Sequence, residues 1–185
     1  MIAISSHKPF SHSAEIASNQ THAFRSWLDV FDGIIYFGAP EPPLVSAKTE
    51  FISSPEPPTI RSLMLLGALA KEPACIINAD ILLAPNAAEM LTGAMKKFQA
   101  AISFRYEFNP VKRDLSRAKR VDNGLDLFIA QPSLWRRCWS VCPDKFRIGK
   151  PVWDSWLFMW LFNNCKGKFT DLSTWRFVYH PKHSR

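Results

Sequence analysis

Short apolar runs rich in β-branched and aromatic residues, alternating with stretches of helical spacing, predict an α/β protein with a mostly parallel sheet. The clearest runs are residues 34–37 (IIYF), 75–77 (CII) and 101–104 (AISF). Each is bounded by turn residues or by a helical stretch, as buried strands are. In open α/β sheets ligands bind outside the carboxyl ends of the strands, so the loops that follow strands are where function is expected.

The elements follow in order. Residues 2–4 (IAI) run into the polar Ser5-Ser6. A strand follows at 34–37, and the proline-rich stretches 40–43 and 55–58 read as extended connectors. Residues 60–71 (IRSLMLLGALAK) are apolar nearly all round, which predicts a helix buried against a sheet. After the strand 75–77, Asn86 stands as a cap with Glu89 three residues on. Met90, Ala94 and Phe98 share a stripe there, and Lys96 and Lys97 complement the carboxyl end of the helix. Residues 111–122 (VKRDLSRAKRVD) carry five basic side chains and few apolar anchors, the pattern of a mobile surface loop. Beyond it lie a strand at 125–130 (LDLFIA), a short helix at 132–139, an aromatic-rich helix at 154–163 and a last strand at 175–179. Neither flank of any connector is long enough for its own core, so a single domain over 1–185 is expected.

Composition sets the outer limits. The 185 residues are 47% hydrophobic and 21% charged, far from disordered or fibrous chains. No stretch approaches eighteen uninterrupted apolar residues, and the first residues lack the basic-then-apolar order of a secretion signal. A cytoplasmic protein is expected. Cys75, Cys138, Cys142 and Cys165 are too sparse to staple the chain and read as reduced thiols. Lysine and arginine outnumber the acids 23 to 16, a net charge of +7, so an anionic partner is expected: nucleic acid, a membrane surface or a phosphorylated small molecule.

Three places carry candidate chemistry. Asp80 lies in the apolar stretch 75–83 (CIINADILL), where an acid is costly unless paired, hydrogen-bonded or metal-bound. At the end of a parallel strand it would hold Mg²⁺ or Mn²⁺, which take one or two protein carboxylates and fill their remaining positions with phosphate oxygens and water; alternatively it caps backbone N–H groups at the turn. Asp154 stands where the aromatic helix begins, as an ordinary N-cap, as a base, or as both. His180 follows the last strand and is better anchored than His183 as a metal ligand; alternatively the two belong to a frayed basic tail. A zinc site built from Cys138, Cys142, His180 and His183 has poor spacing. Glycine-rich dinucleotide and phosphate-binding loops and the nucleophile elbow do not occur.

Together these segments resemble a small nucleotide-diphospho-sugar transferase of the GT-A type, related to glycosyltransferase family 2. The likeness runs over most of the chain: the opening strand with Ser5-Ser6, the strand 34–37, Asn78-Ala79-Asp80, the 124–128 segment (GLDLF), the 148–157 segment (IGKPVWDSWL) and the late histidine. The resemblance implies one three-layer α/β/α domain with a mostly parallel sheet. It implies sugar transfer from a nucleotide-diphospho-sugar to a hydroxyl acceptor, with Mn²⁺ or Mg²⁺ on Asp80 and His180. Asn78 stands in the first position of the family's Asp-x-Asp signature, so only Asp80 matches its ionic part. By the same resemblance Ser5, Lys8 and Asn78 join Asp80 in holding the donor, Asp126 lies near the donor or acceptor sugar, and Asp154 matches the general base of inverting members. Two rival expectations stand beside it. One is a basic nucleic-acid-binding module using Lys112, Arg113, Arg117, Lys119 and Arg120; the other is a relative that binds sugar or nucleotide without catalysis. The basic loop 111–122 is also a candidate for peripheral membrane contact.

Overall fold

A computed structural model describes residues 1–6, 13–38, 45–54, 56–112, 114–148 and 150–182. Lys8, Arg113, His183, Gly149 and the prolines at 40, 42, 43 and 55 lie outside the described residues. The chain opens with β1 (Ile2–Ser6), then α1 (Ala14–Leu28), β2 (Gly33–Gly38), β3 (Thr49–Ser53) and α2 (Ile60–Leu69). It continues through β4 (Ala74–Ile77), β5 (Leu82–Leu83), α3 (Ala87–Lys97) and β6 (Ala100–Phe108) to β7 (Lys119–Ala130). Last come α4 (Pro132–Val141), α5 (Trp153–Asn164), β8 (Phe169–Asp171) and β9 (Val178–Pro181).

The described strands form one sheet in the order β3-β2-β1-β4-β7-β6-β9-β5, with β8 also on β6. β3, β2, β1 and β4 run parallel; α1 connects β1 to β2 and α2 connects β3 to β4. β7 lies antiparallel between β4 and β6. β8 and β9 then share one edge of the long β6, both parallel to it, against Ala100–Ile102 and against Tyr106–Phe108 respectively. The sheet is mixed but mostly parallel, as expected.

Successive residues on each strand point to opposite faces, and the two faces bury different cores. On one face Ala3, Ile34, Tyr36, Cys75, Ile77, Leu127 and Ile129 pack with α1 and α3. On the other Ile4, Ala74, Ile76, Ile102, Phe128 and Ala130 pack with α2, α4 and α5. The result is three layers, α/β/α.

Local sequence explains the helix starts. Ser13 caps α1 by accepting from the Ile16 N–H at 3.0 Å, Thr59 caps α2 by accepting from Ser62 N–H at 2.9 Å, and Pro132 opens α4 with the backbone angle a first turn needs. Asn86 holds the cap position of α3 but makes no side-chain cap bond there. Gly67 lets α2 approach α4: a β-carbon there would lie 2.7 Å from the buried Trp135 ring, which is itself fixed by donating to the Ala74 carbonyl at 2.8 Å.

Three expectations change. Residues 119–122 are the start of β7 and not part of a loop, because their backbone pairs with β6 through Tyr106 and Glu107; before them Leu115–Arg117 makes a 3-10 turn capped by Asp114. The last strand begins at Val178 and not at Trp175, since residues 173–175 form a 3-10 turn and Arg176 takes a left-handed backbone with φ 50°. Helix α5 begins one residue earlier than expected, and its cap position is Val152; Asp154 lies in the first turn. α1, β3, β5 and β8 are additional to the elements read from the sequence.

Candidate functional site: a polar ring at the end of β4

β4 ends at Ile77, and the chain turns through Asn78-Ala79-Asp80. Tertiary structure brings three other strands to this turn. Asp126 on β7 lies opposite it, and the Asn78 backbone N–H donates to the Asp126 carbonyl at 3.1 Å. The Asn78 side-chain amide also donates to Asp126 Oδ1. Asp126 Oδ2 accepts from Arg105 Nη1 at 2.8 Å, and Arg105 reaches on to Glu107 Oε1 with Nη2 at 3.0 Å and Nε at 3.2 Å. His180 on β9 closes the ring. Its Nε2 lies 3.2 Å from Asp80 Oδ2, and its Nδ1 lies 4.0 Å from Glu107 Oε1.

The backbone explains why Arg105 can serve this site. The β6–β7 register shifts between Phe104 and Tyr106, whose partners are Leu125 and Arg120, so the ladder is interrupted there and β7 bulges, with residues 121–124 opposite Arg105. Gly124 leaves room beside it, for a β-carbon there would lie 2.8 Å from the guanidinium carbon. The guanidinium is thereby laid across β7 onto Asp126.

The electrostatics are those of a buried acid held by a cation. Burial pushes the Asp126 carboxyl above its ordinary value; Arg105 and then His180 pull it down, and Asp80 adds to the rise. Desolvation works against the charge on Arg105, but Asp126 and Glu107 together outweigh it and hold the guanidinium above its ordinary value. Both Asp126 oxygens accept from N–H donors, so the ring is built around a carboxylate kept in place at an energetic cost.

Of the residues expected at the site, Asn78, Asp80, Asp126 and His180 come together. Ser5 is adjacent but fully buried, and its hydroxyl donates to the Ile77 carbonyl at 2.6 Å, tying β1 to β4. Asp154 stands apart from the ring: its Oδ1 accepts from the Ser155 N–H at 2.8 Å, and among the described residues it has no hydrogen bond or ion pair with a ring member. Its helix is nevertheless anchored beside β7, through a ring contact of Trp153 with Phe128 at 5.5 Å. The sequence reading missed Arg105 and Glu107.

The rival sites fare differently. Cys138 and Cys142 are buried in the apolar core beside α4 while His180 is engaged with Asp80, so they do not form the zinc set. The basic residues of 111–122 are partly spent on neighbours: Arg117 pairs with Asp114 at 3.3 Å, and Arg120 pairs with Asp122 at 2.8 Å and Asp171 at 3.7 Å. Among the described residues no helix is long and apolar enough to cross a membrane.

The fold is one that solved nucleotidyltransferase-like structures share. No protein-family model matches the chain, and no curated protein matches it. Solved structures do. A Bacillus anthracis protein assigned as a glucose-1-phosphate thymidylyltransferase superposes with a TM-score of 0.56 at 8% identity, covering 99% of this chain and 87% of its own. HddC from Yersinia pseudotuberculosis gives 0.55 at 12% identity, covering 93% and 89%. The 4-diphosphocytidyl-2C-methyl-D-erythritol synthase of Anaerococcus prevotii gives 0.56 at 11% identity, covering 93% and 86%. At these identities the likeness is one of fold.

Proposed function

We propose that the protein is a glycosyltransferase that moves a sugar from a nucleotide-diphospho-sugar to a hydroxyl acceptor, with the ring around Asp80 as its donor site. The observation that carries this reading is the contact of Asp80 with His180 at 3.2 Å, at the carboxyl end of the parallel strand β4. Sequence-distant residues converge there, at the edge where α/β sheets bind ligands.

The separation also suits a divalent cation. Asp80 and His180 would hold Mn²⁺ or Mg²⁺, whose chemistry is to neutralise the charge that builds on a departing diphosphate. Among the described residues no group of three acidic, histidine or cysteine side chains is arranged to hold a metal. The donor's own phosphates would therefore complete the site, and cation and nucleotide should bind together or weakly.

The chain's residues divide the remaining work. Asn78 is held by Asp126, so it shapes the turn that presents Asp80. Arg105 fixes Asp126, and Glu107, held by Arg105, flanks His180. Asp154, at the positive end of α5, is the group on the Trp153 side able to take a proton from an acceptor hydroxyl if the anomeric centre inverts.

The test is a panel of nucleotide sugars with Mn²⁺, read as nucleoside diphosphate release, together with thermal shifts. A donor at a hundred times its Kd should add about 2.7 kcal/mol of stability, and Asp80→Asn should abolish turnover while the protein stays folded. Full turnover by that variant would overturn the role of Asp80. The solved relatives support a second reading, nucleotidyl transfer, on the same site. Pyrophosphate release from a nucleoside triphosphate and a sugar phosphate, with no diphosphate release from any nucleotide sugar, would select it.

A further inference from the structure

The two helical layers have different outer surfaces. α1 and α3 contribute none of the large apolar side chains that stand exposed among the described residues. The layer of α2, α4 and α5, with the turn that opens α5, contributes six: Leu65, Leu69, Val141, Val152, Met159 and Phe162. Leu69 is 69% exposed, Phe162 57% and Met159 51%.

α5 is the extreme case. Trp153, Leu157 and Leu161, spaced by four, fill its inward stripe. A soluble surface helix would carry polar residues on the opposite side. Here residues 156–162 read WLFMWLF, so the outer face is apolar too, with Trp156, Phe158 and Trp160 only partly covered. The three helices make one continuous surface. Arg61 of α2 lies 5.2 Å over the ring of Trp139 on α4, Arg137 of α4 lies 6.0 Å over Trp160 on α5, and Phe146 packs 5.5 Å from Trp156.

Charge says what covers it. Residues 132–168, which contain α4 and α5, carry seven basic side chains (Arg136, Arg137, Lys145, Arg147, Lys150, Lys166 and Lys168) and two acids (Asp144 and Asp154), a net of +5 out of +7 for the whole chain. Asp144 is already taken by Arg61 at 2.6 Å. α5 itself carries no cation; Arg136 and Arg137 lie on α4 and the other five flank α5, so its aromatic face is bordered by positive charge, the combination that suits a membrane interface, where aromatic rings enter the headgroup region and cations meet anionic lipid.

We propose that the outer face of α2, α4 and α5 docks the protein on an anionic lipid bilayer as a peripheral contact. This places the membrane-facing surface on the helical layer and not on residues 111–122, and it does not depend on the reading of the Asp80 ring.

The test is co-sedimentation of the full chain with vesicles of phosphatidylcholine alone and of phosphatidylcholine mixed with phosphatidylglycerol. Binding to the mixed vesicles, with a blue shift of tryptophan emission, is expected, and it should fall steeply with salt, since each basic residue near an anionic surface contributes roughly fivefold. Met159→Glu and Leu69→Glu lie on different helices, and their side chains are mostly in water, so both variants should fold. Each should lower vesicle binding by roughly tenfold. Equal binding to both vesicle types, unchanged binding of both variants, or a variant-sensitive dimer in place of vesicle binding would overturn the proposal.

Discussion

Asn78 stands where a carboxylate would meet another carboxylate. Its amide donates to Asp126 Oδ1, so an aspartate at 78 would set two acids against each other beside a buried site. An amide at 78 suits this place, since Asp126 already supplies an acid and its counter-ion is Arg105. Removing that counter-ion should be costly. Arg105→Met leaves Asp126 buried without its cation, and loss of one partner of such a pair typically costs about 3–5 kcal/mol. The sign of the pH dependence follows from the raised carboxyl. A group whose folded-state value lies above its unfolded one contributes stability that is fully present below the ordinary carboxylate range and is lost as pH rises through the folded value. Without Arg105 that value climbs further, so the variant should lose more stability between acidic and neutral pH than the parent does. Urea denaturation at the two pH values measures this, and an unchanged pH difference would show that Arg105 does not support Asp126. Asp80 and His180 were legible in the sequence, since an acid in an apolar stretch and a histidine after a strand both need explaining; Asn78 and Asp126 came only from the family resemblance. Arg105 and Glu107 were not legible. Residues 104–108 (FRYEF) alternate like any half-exposed strand, and the bulge that turns Arg105 onto Asp126 has no signature of its own.

Among the elements, those with strong patterns were readable: the buried strands at β2, β4 and β6, the apolar α2 and the striped α3 all appear near their expected places. α1 was not, because its buried residues Gln20, Ala23, Phe24 and Trp27 are diluted by His22 and the serines at 18 and 26, which blur the stripe. β3, β5 and β8 are short and take their identity from strands already in place. The start of α5 shows how tertiary packing overrides local preference. Val152 takes φ 87° at the cap position, a region that β-branched residues avoid. It sits two residues before Asp154, and such strain persists only where the surroundings enforce it. Val152→Gly should relieve it. Because Val152 is mostly exposed, little packing is lost, and a gain of about 1 kcal/mol in denaturation is expected. A loss would mean that the valine side chain, and not the backbone, sets this turn.

At the scale of the molecule, the sheet is the shared wall of two cores, and the cysteines report on both. Cys75 lies in the core under α1 and α3, whereas Cys138, Cys142 and Cys165 lie in the core under α2, α4 and α5. All four are buried and free. Burial raises every one of these thiols, Cys142 to about 11, so none should be a thiolate at neutral pH while the fold is intact. A thiol reagent should therefore find them inert in buffer. Their order of exposure in denaturant then tests whether residues 1–185 act as one domain. β4 places Cys75 on one face and Ala74 and Ile76 on the other, so neither core can open without disturbing the strand they share. Pulse labelling through the urea transition should show Cys75 and the other three becoming reactive at the same midpoint, as one cooperative unit. Three cysteines reacting at lower urea than Cys75 would instead mean that the α2, α4 and α5 layer opens by itself as a less stable part of the structure.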